Sequence, residues 1–212
     1  MSNLDLHEQE QVEAIKAWWK ENSNWVIGAV VVGLLGFAGT TYWKNHQAGQ
    51  AADAAKLFAE VERQVETNDA KRISDAAEAL VNRFGNSAYA PRAELLAAQA
   101  NLQARDVAHA EVQLKWVIEH ASETDLQDTA RLKLASVLLD EKKYDEALKQ
   151  LDAAHPESFT GLYADLRGDV LSAQGKIPEA RAAYQQAYNS IDPKSTYRNL
   201  VQLKMDGLGS AK

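Results

Sequence analysis

Cysteine is absent from this 212-residue chain, which removes disulfides, thiolate metal sites and cysteine nucleophiles from consideration. The absence suits a cytoplasmic protein and a disulfide-free periplasmic one alike, so it assigns no compartment. Proline and glycine are scarce, at 4 and 11, and with 46% hydrophobic and 25% charged residues the chain is not disordered overall. An excess of positive charge is missing too: the net charge of −7 argues against nucleic acid, whose phosphates demand a basic surface. Catalytic signatures are also lacking. The five histidines (His7, His46, His109, His120, His155) are scattered, with no HExxH spacing, and no P-loop, G-x-G-x-x-G or G-x-S-x-G occurs. The "HAE" of residues 109–111 lacks the Pro-Cys-x-x-Cys partner of a zinc deaminase. Acid-rich stretches read as solvated helix faces. No catalytic residue, metal ligand set or cofactor emerges, and an enzyme is not expected.

Long apolar runs are confined to one place, "NWVIGAVVVGLLGFAGTTYWKN" (24–45). From Trp25 to Trp43 no residue is charged, and Lys20, Glu21 and Lys44 mark the edges. As a helix these residues would extend about 28 Å, close to the hydrocarbon thickness of a bilayer. Eight of them are Val, Ile, Leu or Phe, a gross insertion gain of roughly 2–5 kcal/mol that the glycines and threonines erode. A cleavable signal would want a basic leader, a shorter apolar core and an A-x-A-like site. Here five acids (Asp5, Glu8, Glu10, Glu13, Glu21) face only Lys16 and Lys20 before the run. Trp25 at one end, with Tyr42 and Trp43 at the other, suits the aromatic belts of a spanning helix. The reading is a retained single span, set against a signal or a buried core helix.

Flanking charge leaves orientation open. Lys16 and Lys20 stand on one side, Lys44, Lys56 and Arg63 on the other, and large domains translocate largely regardless of charge. Within the span, Ala29, Gly33, Gly36 and Thr40 fall on one helical face, small enough for another membrane helix to approach closely. Before it, Val12, Ile15 and Trp19 share a face of "EQEQVEAIKAWWKEN", predicting a short amphipathic helix at the membrane interface or, alternatively, a partner-binding tail.

The remainder reads as short helices cut by Gly85-Asn86-Ser87, Pro91, His155-Pro156, Gly161, Gly175 and Asp192-Pro193. The pieces resemble one another. Ala147, Leu151 and Ala154 follow Ala135; Ala180, Tyr184 and Ala187 follow Gly168; Ala110, Leu114 and Val117 follow Ala98; more faintly, Ala77, Val81 and Phe84 follow Val65. The anchors Ala77, Ala110, Ala147 and Ala180 lie 33, 37 and 33 residues apart, close to the tetratricopeptide period of about 34. Small residues are needed there because crossing helices approach within about 8–10 Å. Residues 195–208 predict a closing helix that offers Leu200, Leu203 and Leu208 to the last pair, and Trp116 is expected in the core. An ordinary helical bundle with coincidental spacing is the competing fold. The fold class is therefore all-α: a tail over 1–24, a transmembrane helix over 25–43, and a tetratricopeptide-like solenoid with a closing C-terminal helix over 44–212. Repeat solenoids act through a groove. In this register it would include Arg92, Gln99, Gln103, Thr129, Ser136, Asp140, Asp165 and Asp169.

Taken together, "QVEAIKAWWKEN", the span, "YWKNHQ" and "LYADLRGDVLSAQGK" resemble the YfgM-type family of ancillary SecYEG translocon subunits. The resemblance covers nearly the whole chain, carried by the order of parts and by "ADLRGD" more than by any catalytic signature. It implies a single-span inner-membrane protein with a cytoplasmic N-terminus and a periplasmic repeat domain. The implied partners are the SecYEG translocon, a membrane-anchored periplasmic chaperone of the peptidyl-prolyl isomerase type, and unfolded secreted clients. The implied role is handing secreted chains to periplasmic folding factors. The competing function is a cytoplasm-facing membrane adaptor that recruits soluble proteins.

Overall fold

The computed structural model describes the backbone of residues 3–209 and the side chains of 10–44 and 46–209; the side chains of Asp5, His7 and Glu8 lie outside it. All regular structure among the described residues is helical. The chain divides into two units, residues 1–52 and 53–212.

The first unit is made by α1 (Asn3–Val65), whose last turns, from Asp53 on, belong to the second. Nothing between Trp18 and Trp43 breaks the helix: even Asn22 is accommodated, its Nδ2 donating to the Trp18 carbonyl at 2.9 Å. The amphipathic segment expected ahead of the span is thus part of the same helix. Trp25, Val32 and Phe37 are exposed, and α1 is long and apolar enough to cross a membrane. The Thr40 hydroxyl donates to the Phe37 carbonyl at 2.9 Å, so it too is satisfied within the helix.

In the second unit the end of α1 is followed by α2 (Ala70–Phe84), α3 (Ala90–Gln103), α4 (Val107–His120), α5 (Thr124–Asp140), α6 (Tyr144–Leu151), α7 (Glu157–Ala173), α8 (Ile177–Ser190) and α9 (Tyr197–Gly207). Four turns mark the repeat. Asn68, Arg105, Lys142 and Gly175 all take left-handed backbone, with φ of 54°, 62°, 61° and 77°, each two residues before a helix starts. Only the last is glycine; the others accept a local cost of about 1 kcal/mol to reverse the chain tightly. Asp69 and Asp106, next in line, cap the following helices by accepting from the backbone N–H of Arg72 and His109. These short turns make the paired helices antiparallel neighbours.

The turns also correct the register of the first repeat. Their intervals are 37, 37 and 33 residues, so the counterpart of Ala110, Ala147 and Ala180 is Ile73, one helical turn before Ala77. Burial agrees: Val61, Ile73, Ala77 and Leu80 are buried, whereas Val65, Val81 and Phe84, the residues expected from the sequence, are only half-buried. The later anchors hold their expected places, with Ala98, Ala110, Leu114, Val117, Ala135, Ala147, Leu151, Ala180, Tyr184 and Ala187 all buried. Ala154 is the exception, exposed and beyond the end of α6. At the end of α6 the Arg167 guanidinium binds the Leu151 carbonyl and the Asp152 carboxylate, at 2.7 and 2.8 Å.

Three apolar clusters follow the stack: one under Val61, Ile73 and Leu80, one around Leu114, Leu134 and Leu138, and one around Tyr184, Val201 and Met205. Trp116 packs against the first two and stacks on His120, ring centroids 4.4 Å apart. The closing helix turns a different face inward from the one expected. Val201 and Met205 are buried and Leu208 is half-buried, while Leu200 and Leu203 remain 44% and 68% exposed.

Candidate partner-binding surface

The first helices of successive pairs (α3, α5, α7) carry the residues expected in a groove. Two open creases lie along them. One, of about 290 Å³, is lined by Val65, Asn68, Ile73, Leu96, Gln99 and Gln103 among others. The next, of about 540 Å³, includes Leu102, Arg105, Lys133, Ser136, Val137 and Asp140. Gln99, Gln103, Ser136 and Asp140 therefore face open space, and Lys133 donates to Gln99 Oε1 at 2.7 Å, tying α5 to α3. Arg92 and Thr129 are engaged locally: Arg92 binds Glu123 at 2.7 Å and also the Ala88 carbonyl, and the Thr129 hydroxyl donates to Asp125 O at 2.7 Å.

Asp165 and Asp169 stand apart from the other six. Asp165 is buried, and its Oδ2 accepts from the Tyr197 hydroxyl at 2.5 Å and from Lys204 Nζ at 2.7 Å. Asp169 accepts from Tyr184 at 2.8 Å and from the same ammonium at 2.8 Å. These carboxylates hold the closing helix instead of lining an open acidic stripe. Burial works against the charge on Lys204, but the two carboxylates outweigh it and hold its pKa above the usual lysine range. Burial first, then the hydrogen-bonded carboxylates, also raise Tyr184 and Tyr197 well above the ordinary phenol range. Sequence reasoning missed Lys133, Lys204 and the two tyrosines. The available signal was faint: an Asp at 165 where the preceding repeat has Leu132.

A similar network lies inside the stack. Asp128 is fully buried, accepting from the Tyr163 hydroxyl at 2.7 Å and from Arg131 at 3.3 Å, and His155 stacks on the Tyr163 ring at 4.0 Å. It joins α5 to α7. Among the described residues no group of three or more His, Asp or Glu is placed to share a metal ion.

Comparison with known proteins puts this geometry in a family. A family model described as a tetratricopeptide repeat-like domain matches residues 16–210, and so takes in the apolar part of α1 as well as the repeats. An ancillary SecYEG translocon subunit of Neisseria gonorrhoeae is 33% identical over 204 residues, 96% of this chain and 98% of that protein. Proteins of the same name from Haemophilus influenzae and Escherichia coli are 29% and 30% identical, each again over nearly the full length of both chains. This chain belongs to the ancillary SecYEG translocon subunit family.

One group in this family member is tuned near neutrality. Glu94 is buried on α3, and burial, with the Glu78 carboxylate as a second cause, pushes its pKa to about 7. In the unfolded chain a glutamate titrates near 4.3. The folded state thus holds the proton more tightly, and the stability this confers is full below about pH 4.3 and is lost as pH rises through 7. Glu94→Gln should remove that loss. Its stability advantage over wild type is expected to grow by about 3 kcal/mol between pH 4 and pH 8, read from urea unfolding at both values. An advantage that does not change with pH would place the Glu94 carboxyl in water.

Proposed function

We propose that this chain is a non-enzymatic, single-pass scaffold of the bacterial inner membrane that works beside the Sec translocon. Residues 1–24 form the cytoplasmic tail, 25–43 cross the bilayer, and 44–212 form a periplasmic repeat domain. That domain holds partner proteins through the groove of its first helices and helps pass secreted chains to a membrane-anchored periplasmic chaperone of the peptidyl-prolyl isomerase type. One observation supports this reading most: similarity to ancillary SecYEG translocon subunits runs through span and repeats alike, over 96% of the chain. The span tethers the repeat domain next to the exit of the translocon, and the creases along α3 and α5 give it somewhere to hold a chain.

Protease accessibility tests the orientation. In spheroplasts, added protease should digest the repeat domain and leave the tail protected. Protection in spheroplasts with digestion in inside-out vesicles would instead favour a cytoplasm-facing adaptor recruiting soluble proteins. The small-residue face of Ala29, Gly33, Gly36 and Thr40 supplies a second handle. A Cβ added at Gly33 or Gly36 meets nothing within 4 Å, so replacing both with leucine leaves the helix intact but bulks the face. Crosslinking to translocon helices should fall several-fold in that variant. Undiminished crosslinking would mean that the repeat domain alone makes the contact.

A further inference from the structure

The two open creases share a register but not a charge. Gln99 and Ser136, and likewise Gln103 and Asp140, occupy matching places 37 residues apart. At two further matching places the first crease has Asn68 and Leu96, whereas the second has Arg105 and Lys133. The cations therefore belong to the second crease and are not a product of the repeat.

Their charge is left largely unanswered. Among the described residues Arg105 has no ion-pair partner, and Lys133 bonds only the neutral Gln99 amide oxygen, which takes one of its three N–H donors. Two acids share the lining, but the Glu141 carboxylate is paired with Lys143, at 2.7 Å, which does not line the crease. Asp140 remains, without an ion-pair partner among the described residues. One carboxylate against two cations leaves an excess of one positive charge. Lys133 is half-buried, so salt and water screen it less than a surface lysine. Beside these charges lies an apolar floor of Leu102, Val107 and Val137. A basic segment would meet like charge here, and a carboxylate meets its complement.

The carboxylate could belong to a side chain or to a chain end, and the neighbouring crease favours the side chain. The bond from Lys133 to Gln99 joins a residue of the second crease to one of the first, so the two creases adjoin there. An occupant seated on Lys133 can continue past Gln99 into the first crease, which no ionisable residue lines. A chain end would leave that crease unused.

We infer that the second crease takes an unfolded segment by an internal Asp or Glu side chain, held by Arg105 and Lys133, with a neighbouring aliphatic side chain on the apolar floor. The inference rests on the reading of the groove as the surface that holds secreted chains, and it names the feature selected in them.

Four peptides in a Ser/Gln/Gly host test it. Three are capped at both ends and carry an internal Leu-Glu, Leu-Gln or Leu-Lys pair; the fourth ends on leucine with a free carboxylate. Binding to the full chain in phosphatidylcholine nanodiscs is read by fluorescence anisotropy. The Glu peptide should bind at least fivefold more tightly than the Gln peptide and the Lys peptide most weakly, with the Glu advantage shrinking in high salt. Arg105→Asn suits a left-handed turn, and Lys133→Met keeps the apolar stem. Each should bring the Glu peptide within about twofold of the Gln peptide, with thermal unfolding as the check on folding. Ser136→Trp, at an exposed position, should fill the crease and weaken the Glu peptide about tenfold. Equal affinity for the Glu and Gln peptides, or a Glu preference that survives both charge variants, would overturn the carboxylate inference; loss in Ser136→Trp would then still leave the groove as the holding surface. Tightest binding by the free chain end would overturn the internal side chain as the ligand. Binding insensitive to Ser136→Trp, or no binding at all, would overturn the groove reading with it.

Discussion

Gly168→Val should cost about 3 kcal/mol and lower the unfolding midpoint by about 6–12 °C. Gly168 sits where α7 crosses α8. A Cβ there would stand 2.5 Å from Tyr184 Cε1 and 2.9 Å from Cγ, and closer still to Cδ1. Real carbon–carbon contacts need about 3.5–4 Å, so the ring or the helix must move. Tyr184 cannot swing aside, because it is buried and its hydroxyl is held by Asp169 at 2.8 Å. A branched residue adds two more carbons to the conflict. Gly161 gives the contrast: its added Cβ would meet the Ile191 side chain at 2.7 Å, and Ile191 is half-buried beyond the end of α8, with room to shift. Gly161→Ala should therefore cost no more than about 1 kcal/mol. Far-UV circular dichroism during heating checks both, and a Gly168→Val midpoint within about 2 °C of wild type would contradict so close a helix crossing.

Lys204→Ala should release the closing helix. The change leaves Asp165 buried with Tyr197 as its remaining donor, and its Oδ1 already lacks a partner. Removing one member of a buried ion pair costs about 3–5 kcal/mol where the structure cannot relax. Here α9 can lift away and let water reach the carboxylates, so about 2–3 kcal/mol is expected. Amide hydrogen exchange should show it: α9 loses protection while α3–α6 keep theirs. The double variant Asp165→Leu with Lys204→Met should recover most of the loss. Replacing a buried pair by apolar residues of similar size is often neutral or stabilising, and the preceding repeat already has Leu132 at the place of Asp165. Uniform loss of protection in Lys204→Ala would show instead that the stack unfolds as one unit.

The later repeats were legible in the sequence because their anchors are alanine and glycine at crossings that admit nothing larger. Ala98, Ala110, Ala135, Ala147, Gly168 and Ala180 are all buried. The first repeat misled because Ile73 replaces the small residue, and Ala77 one turn later imitates it. Turn geometry, visible only as the left-handed φ of Asn68, Arg105 and Lys142, restores the register. Composition could not reveal it, since none of the three is glycine. That Gln99, Gln103, Ser136 and Asp140 line open creases was legible, since each pair falls one turn apart on its helix. Asp165 and Asp169 have the same spacing. Their partners Tyr197 and Lys204 stand about 30–40 residues downstream, beyond any local pattern.

What the sequence alone determined here is what short-range physics governs. An uncharged run of spanning length is written in consecutive residues, and a helical repeat in the spacing of small ones. The tertiary structure decided which face of α9 turns inward, which carboxylates stay open, and that two creases recur in matching register. Those outcomes depend on how far apart stacked helices settle and on which distant side chain reaches a buried charge first. Only the folded packing supplies that information.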